Sequence, residues 1–404
     1  MKNVSVIGAG FAGLTVSLEL AQKGFQVDLY ESSSRVGGLL GTDYTEYGIA
    51  ERAANALIRT TKANDLFARL GLTPSFPLES SKKRFLFRDH PRSWPLSFSE
   101  SLSLLARVVP RLLLGKRHLR PRPQETLEAW GKRLLGPKAT RFILGPAMQG
   151  IYGNDISGLS ASLILGPLFR RKKKDKYRGL LTSRGGMQDL VDALEKALRD
   201  KGVRIHLNTA PDLASLTGPV VIATSAKAAS ALTLSKHPEL SQVLGKIRMS
   251  SLMSVTLFFN KAQTSYQGFG CLIPRGYNLK ALGVLMNSYI FKDRNKHYNE
   301  TWIMGGYEES SLLDLPDRDV LKLIAEERFK ILGHKESLLD YRINRWKDAL
   351  PYYDLQLEEV SSLLLSQNLP SGVYLHGNYL SGIGLSKILE RSEVLAEQIA
   401  GTHG

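Results

Sequence analysis

The sequence predicts an α/β fold: a Rossmann-like, nucleotide-binding parallel sheet that carries an inserted mixed-sheet domain and a basic helical subdomain. Three observations predict it. Residues 4–7 (VSVI) form a short apolar run. A glycine turn and a helical pattern follow, and then a second, alternating run from Phe25 to Tyr30, which together make a βαβ opening. Strand and helix patterns of the same kind resume after Thr182 and return near the C-terminus. Between them, one stretch differs sharply in charge.

That stretch, Lys82 to Arg178, holds 22 Lys and Arg against six acids, a surplus equal to the +16 of the whole chain. The remainder is neutral, so one insert is expected to meet something anionic. The 404 residues give a prior of two or three domains. The expected division is a discontinuous nucleotide-binding domain (1–81, 182–247 and 341–404), a basic helical insert (82–181) and a substrate domain (248–340). With 43% hydrophobic and 23% charged residues, wholesale disorder is excluded. The single cysteine, Cys271, allows no intramolecular disulfide and no cysteine-cluster metal site. No apolar run reaches the length of a membrane-spanning helix. The N-terminus has Lys2 and an apolar run, but also a glycine pattern and Glu19 in place of a cleavage site, so it reads as mature structure.

In chain order, Leu14, Leu18, Leu20 and Ala21 give a helical pattern ending at Gly24. Leu102, Leu104, Leu105, Val108, Val109, Leu112, Leu113 and Leu114 form an apolar stripe with Arg107, Arg111, Lys116, Arg117 and Arg120 among them, interrupted by Pro110. A basic amphipathic helix of this kind either lies on an anionic membrane or half-buries itself with a basic solvent face. Arg170 to Arg178 reads as a surface loop. Further on, Met187–Leu198 reads as a helix, and Val203–Leu207 and Val220–Ala223 as strands. Ser254–Phe259 also reads as a strand, Gly268–Tyr307 as strand-rich, and Leu321–Leu332 and Val394–Ile399 as helical.

The strongest motif is Gly8-x-Gly10-x-x-Gly13 between the first strand and helix, with Glu31 closing the second strand. Glycines permit the tight turn and the approach of a pyrophosphate. The helix start presents free N–H groups, and the acid accepts from a ribose. Near the other end, Val373–Leu375 reads as a strand. Gly377, Gly382 and Gly384 follow, and then a helix starting near Ser386, which would aim N–H groups at a flat ring. His376 beside this motif reads as a structural histidine. The histidines show no metal-ligand spacing.

Arg35-x-Gly37-Gly38 after Glu31 resembles the FAD-binding start of the flavin amine oxidase superfamily. Within it, several segments in order resemble the oxygen-dependent protoporphyrinogen and coproporphyrinogen oxidase family. They are residues 150–160 (GIYGNDISGLS), 180–194 (LLTSRGGMQDLVDAL), 268–274 (GFGCLIP), 302–307 (WIMGGY), 345–354 (RWKDALPYYD) and 372–385 (GVYLHGNYLSGIGL). The resemblance spans essentially the whole chain. It implies FAD as cofactor, held by Gly8, Ala9, Gly10, Phe11, Ala12, Gly13, Glu31, Arg35, Gly38, Ala53, Ala54, Ala210, Trp346, Ile383, Gly384 and Leu385. It implies a porphyrinogen substrate oxidised in haem biosynthesis, with O2 reduced to hydrogen peroxide. Arg84 in the segment KRFLF would bind a propionate, and Leu272 and Ile303 would line the ring site. No dedicated catalytic residue and no metal site are implied. A cytoplasmic protein lying peripherally on an anionic membrane through residues 101–123 is expected, with a homodimer compatible and no nucleic-acid partner.

Three departures stand out. Ala53-Ala54-Asn55 replaces the family's Gly-Pro-Asn, and Ser386-Lys387-Ile388 follows the closing motif. The stretch between Leu207 and Val220 is too short for the family's small β-meander. The alternatives left open are another flavin oxidase or desaturase acting on an amine or lipid, and a catalytically degenerate protein that binds FAD and porphyrin.

Overall fold

The computed structural model describes residues 2–169, 175–260, 265–335, 337–366 and 369–403. Residues 170–174, most of the expected second basic run, lie outside them.

The chain opens with β1 (Asn3–Ile7), α1 (Phe11–Gln22) and β2 (Gln26–Tyr30). A hairpin follows, β3 (Phe85–Arg88) and β4 (His90–Arg92), and then the helices α2 (Phe98–Leu113) and α3 (Gly145–Tyr152). Next come α4 (Met187–Asp200), β5 (Arg204–His206) and β6 (Val220–Ile222). The long β7 (Met249–Phe259), β8 (Gly270–Leu272), β9 (Ala281–Leu285), β10 (Tyr298–Gly306), α5 (Asp317–Leu332) and β11 (Leu338–Pro351) succeed them. The described chain closes with β12 (Val373–Leu375) and α6 (Leu385–His403).

Five strands form a parallel sheet in the order β5-β2-β1-β6-β12. Val4, Val6, Val27 and Leu29 pack with Leu14, Leu18, Leu190, Leu194, Leu395 and Ile399 of α1, α4 and α6 on one face. Ile7, Val220, Ile222, Val373 and Leu375 pack a second core on the other. Both faces being covered at the centre explains the near-continuous apolar runs of β1 and β6. Seven strands form the second sheet, in the order β11-β7-β10-β9-β8-β3-β4. Its outer face is covered by α5 through Val320, Ile324, Ile331 and Leu332, against Met253, Val255, Trp302 and Met304.

This topology redraws the expected divisions. Residues 85–92 belong to the large sheet, not to the helical insert, because Cys271 and Leu272 pair in parallel with Phe85 and Leu86. The expected boundary at 340/341 falls inside β11, whose whole length pairs with β7. The meander is indeed missing: residues 207–219 contain one 3-10 turn, Leu213–Ser215, and no strand.

The basic stripe also differs from its expected form. Pro110 lies inside α2 rather than ending it, and no residue of that helix is buried. Its start is fixed by a capping box: the Ser97 hydroxyl accepts from the Glu100 N–H, and the Glu100 carboxylate accepts from the Ser97 N–H. Arg88 clamps the same carboxylate, and these partners hold the Glu100 carboxyl down at about 2. Only Leu104 and its flank touch the small core of Leu96, Ala139 and Phe142. Leu102, Leu105, Val109, Leu112, Leu113 and Leu114 all face outward. No helix among the described residues is long and apolar enough to cross a membrane.

Candidate active site

The glycine motif forms the expected tight turn. A Cβ at Gly13 would lie 1.8 Å from the Gly8 carbonyl oxygen, and one at Gly38 would lie 3.0 Å from Gly10 Cα. Gly13 admits no side chain, one at Gly38 would be strained by its φ of 59° and this tight contact, and both leave backbone open to a phosphate. α1 starts at Phe11 with Gly10 as an uncapped N-cap and no acid in its first turn, so the N–H groups of Phe11, Ala12 and Gly13 remain available to an anion. Glu31 is pre-oriented beside them: its carboxylate accepts from the Ala9 N–H at 2.8 Å and the Ser33 N–H at 2.9 Å. Oε2 keeps a lone pair for a ribose hydroxyl, while Oε1 also accepts from Ser32 Oγ at 3.4 Å, a long bond that a ribose hydroxyl would replace. Ala210 follows Thr209, whose N–H donates to the Glu31 carbonyl. Arg35 turns back on its own loop, donating to the carbonyls of Val36, Leu40 and Gly38. Its role is to stiffen the Gly37–Gly38 turn, and burial pulls its pKa down.

The far end of the cradle is built by the closing motif. β12 runs into Gly377, a short helix (Asn378–Ser381) and Gly382 at φ 99°. α6 begins at Leu385, one residue before the expected start, with no acid in its first turn. Ile383, Gly384 and Leu385 therefore bring a helix N-terminus to the same side of the parallel sheet as the turn after β1. His376 is fully buried, and Nε2 meets Ser392 Oγ at 2.8 Å, which in turn meets Thr15 Oγ1 at 2.7 Å. Burial pushes its imidazole down to about 3, so the ring is neutral and ties the end of β12 to α6, while Ser392 joins α6 to α1. This arrangement is the structural role expected for it.

The large sheet supplies the facing wall. Leu272 pairs with Leu86 and with Gly283, Gly283 with Ile303, and Ile303 with Ser254. These residues form one row across five strands, on the face opposite the α5 core. Gly270, Leu285, Thr301 and Thr256 form the next row on that face, and Arg84 precedes β3 at its level. Arg84, Leu272 and Ile303, far apart in sequence, thus share one surface. α3 lies over it: a Cβ at Gly150 would lie 2.4 Å from Leu272 Cδ2. The Arg84 guanidinium is exposed, sits 4.9 Å from the centre of the Phe269 ring and has no ion pair among the described residues.

The two halves are tied where the Ala53–Ala54 turn meets the sheet. The Arg52 carbonyl accepts from Trp346 Nε1 at 2.9 Å and from Ser254 Oγ at 2.8 Å. Trp346 therefore acts on the turn through its indole N–H. Sequence reading missed a polar line beginning at Asn55. Asn55 Nδ2 reaches Asn287 Oδ1 at 3.5 Å, Asn287 Nδ2 donates to Thr301 Oγ1 at 2.8 Å, and Thr301 meets Thr256 at 2.7 Å. Asn and Thr in strand and turn patterns have no spacing signal, and only register and the packing of the two halves align them. Also missed was Arg294, which is buried and donates to Glu51 Oε1, Thr182 Oγ1 and the Ser183 carbonyl. Burial, against the pull of Arg294, pushes the Glu51 carboxyl up to about 7.

Residues 11–210 match the flavin-containing amine oxidoreductase family. Mitochondrial protoporphyrinogen oxidase of Nicotiana tabacum is 25% identical, over 96% of this chain and 92% of the relative. Coproporphyrinogen III oxidase of Bacillus subtilis is 23% identical, over 97% and 96%. In fold, the chain is similar to a provisionally named protoporphyrinogen oxidase from Exiguobacterium sp. 255-15 (TM-score 0.79, 19% identity, 100% and 99% covered). It is similar also to cyclohexylamine oxidase from Brevibacterium oxydans (TM-score 0.73, 16% identity, 99% of each chain). A glycine-lined cradle facing a mixed-sheet wall agrees with these matches: residues 11–210 are similar to the flavin-containing amine oxidoreductases, and the whole chain shares the fold of the solved structures.

Proposed function

We propose that the protein uses FAD to oxidise a porphyrinogen, protoporphyrinogen IX or coproporphyrinogen III, to the porphyrin of haem biosynthesis, with O2 as acceptor and hydrogen peroxide as by-product. The observation that carries this reading is the single sheet face that holds Leu272, Gly283 and Ile303 in one row, with Arg84 at its border. A flat apolar wall with one charged fork suits a large ring bearing carboxylates. The names of the full-length relatives point the same way.

FAD, when bound, supplies the hydride-accepting centre. The chain's residues bind, orient and dehydrate. Arg84 anchors a propionate, Leu272 and Ile303 exclude water from the ring, and Trp346 and Ser254 fix the turn at Ala53. The overall reaction removes six electrons from the macrocycle, two per O2 reduced. The apolar crest of α2, with Leu105 and Leu112 at 56% and 49% exposure, would rest on an anionic bilayer.

The test is porphyrin fluorescence after mixing the yellow, flavin-loaded protein with chemically reduced porphyrinogen in air, against a flavin-free control. Fluorescence growth with peroxide release supports the reading, and Arg84→Ala then raises KM roughly tenfold or more, the loss expected of a charge-assisted hydrogen bond. A flavin-loaded protein with no growth above the control on either porphyrinogen sinks it, and a degenerate binding protein takes its place. In a separate measurement, the double substitution Leu105→Glu and Leu112→Glu should abolish co-sedimentation with anionic vesicles. Retained sedimentation would remove α2 as the contact.

A further inference from the structure

A groove lies on the opposite side of the large sheet from the candidate active site. Between α5, the edge strand β11 and its neighbour β7 there is a groove of about 580 Å³, within the roughly 300–1,000 Å³ usual for small-molecule sites. Its floor is hydrocarbon: Leu257 and Phe259 from β7, Leu321, Ala325 and Phe329 from α5, and Leu338 from β11. Phe329 is 48% exposed and Leu338 38% exposed, so the trough opens to solvent along these two side chains, while Leu257 and Phe259 lie buried at its bottom. Isolated exposed apolar side chains are ordinary; a concave row of them beside the sheet edge is not.

The floor is rigid. Arg328, at the base of the groove, is ion-paired with the fully buried Glu300, whose carboxylate also accepts from Tyr298 Oη and Trp302 Nε1. The same guanidinium lies 4.2 Å from the centre of the Phe259 ring. The described rim is predominantly basic: Lys322, Lys330 and Lys335 border the opening with His334, and Glu326 is its one described acid. Lys322 and Lys330 have no ion pair among the described residues, and the Lys335 ammonium sits 4.5 Å from the Phe329 ring. An apolar trough with a cationic mouth complements an apolar tail with an anionic head. A second protein would need about 1,200 Å² or more of contact, which a trough lined by twelve residues does not offer.

We propose that this groove binds a single-chain, long-chain carboxylate as a monomer, with its hydrocarbon on Leu257, Phe259 and Phe329 and its head group between Lys322 and Lys330. The site is independent of the porphyrinogen reading, since none of these residues belongs to the flavin-facing rows.

The experiment uses the full-length, flavin-loaded protein and cis-parinarate as a fluorescent probe, below its micelle concentration. Decanoate, laurate and myristate compete, alongside the matching alcohols. Saturable probe binding is expected, with competitor affinity rising about fourfold per added methylene and carboxylates outcompeting alcohols. Ala325→Trp, which fills the trough, should abolish probe binding. Lys322→Glu with Lys330→Glu should weaken carboxylates and leave alcohols unchanged, with the 450 nm flavin absorbance and melting temperature retained in both variants. Absence of saturable binding overturns the proposal. So does binding undiminished in Ala325→Trp, which would locate the probe on α2, or equal competition by acids and alcohols. Sedimentation with anionic vesicles that needs Lys330, without monomer binding, would make the face a bilayer contact and overturn it too.

Discussion

On the proposed FAD reading, Glu31 is the acid at a strand end that receives the ribose. The Ala9 and Ser33 N–H groups hold its carboxylate before any ligand arrives, so binding pays little to order it. Glu31→Ala removes both the preorganisation and two hydrogen bonds to the ribose, each worth about 1 kcal/mol. FAD retention, measured as the dissociation constant by flavin fluorescence, should weaken roughly thirtyfold. Gly13→Ala should be harsher, because the Gly8 carbonyl it would strike is backbone in a turn that cannot move aside. The expected outcome is protein recovered without flavin absorbance. Loss of a buried clash-free turn, not of a charge, is the cause, so Gly13→Ser should fail equally.

At the edge of the parallel sheet, one face of β2 and β5 is finished by polar side chains. Asp28 accepts from Arg204 Nε at 2.6 Å and meets His206 Nε2 at 2.9 Å, and Tyr30 stacks on His206 at 4.7 Å. These partners, Arg204 foremost, hold the Asp28 carboxyl below its usual range. A depressed acid contributes stability above its unfolded pKa and loses it as pH falls through the folded value. The network is partly exposed, so Asp28→Asn should cost less than about 1 kcal/mol at neutral pH, read from urea unfolding, and the cost should vanish in acid. Charged side chains on this face also discourage further strand pairing.

For the whole molecule, Glu51 and Arg294 form the buried junction between the cradle half and the large sheet. Arg294 reaches it from the turn before β10, while Glu51 also accepts from Thr42 Oγ1 and the Met187 N–H. The Glu51 carboxyl is pushed up to about 7 by burial. Its folded state therefore binds the proton more tightly than the unfolded state, and stability falls as pH rises from about 4.3 to about 7. Thermal melts should show this decline in the wild type. In Glu51→Gln the slope over that window should flatten, because the amide keeps the shape and cannot ionise; an unchanged slope would assign the decline elsewhere.

The sequence by itself determined the parts whose chemistry is local. A glycine turn, an acid at a strand end and a helix start are fixed by backbone sterics over a few residues, so Gly8 to Gly13, Glu31 and Gly384 were legible with their neighbours. The amphipathic stripe of α2 was legible too, since it depends only on helical period, although that period does not tell whether the apolar side is covered. Only the tertiary structure decided that it is not. Register and packing decided the rest. Leu272, Gly283, Ile303 and Ser254 become neighbours because three strand pairings happen to align them. Asn55 and Asn287, 232 positions apart, lie in a loop and a 3-10 turn that the packing of the two halves brings together. Strand pairing is a long-range choice made by the whole hydrophobic pattern, so wall, polar line and buried junction have no signature at any one place in the chain.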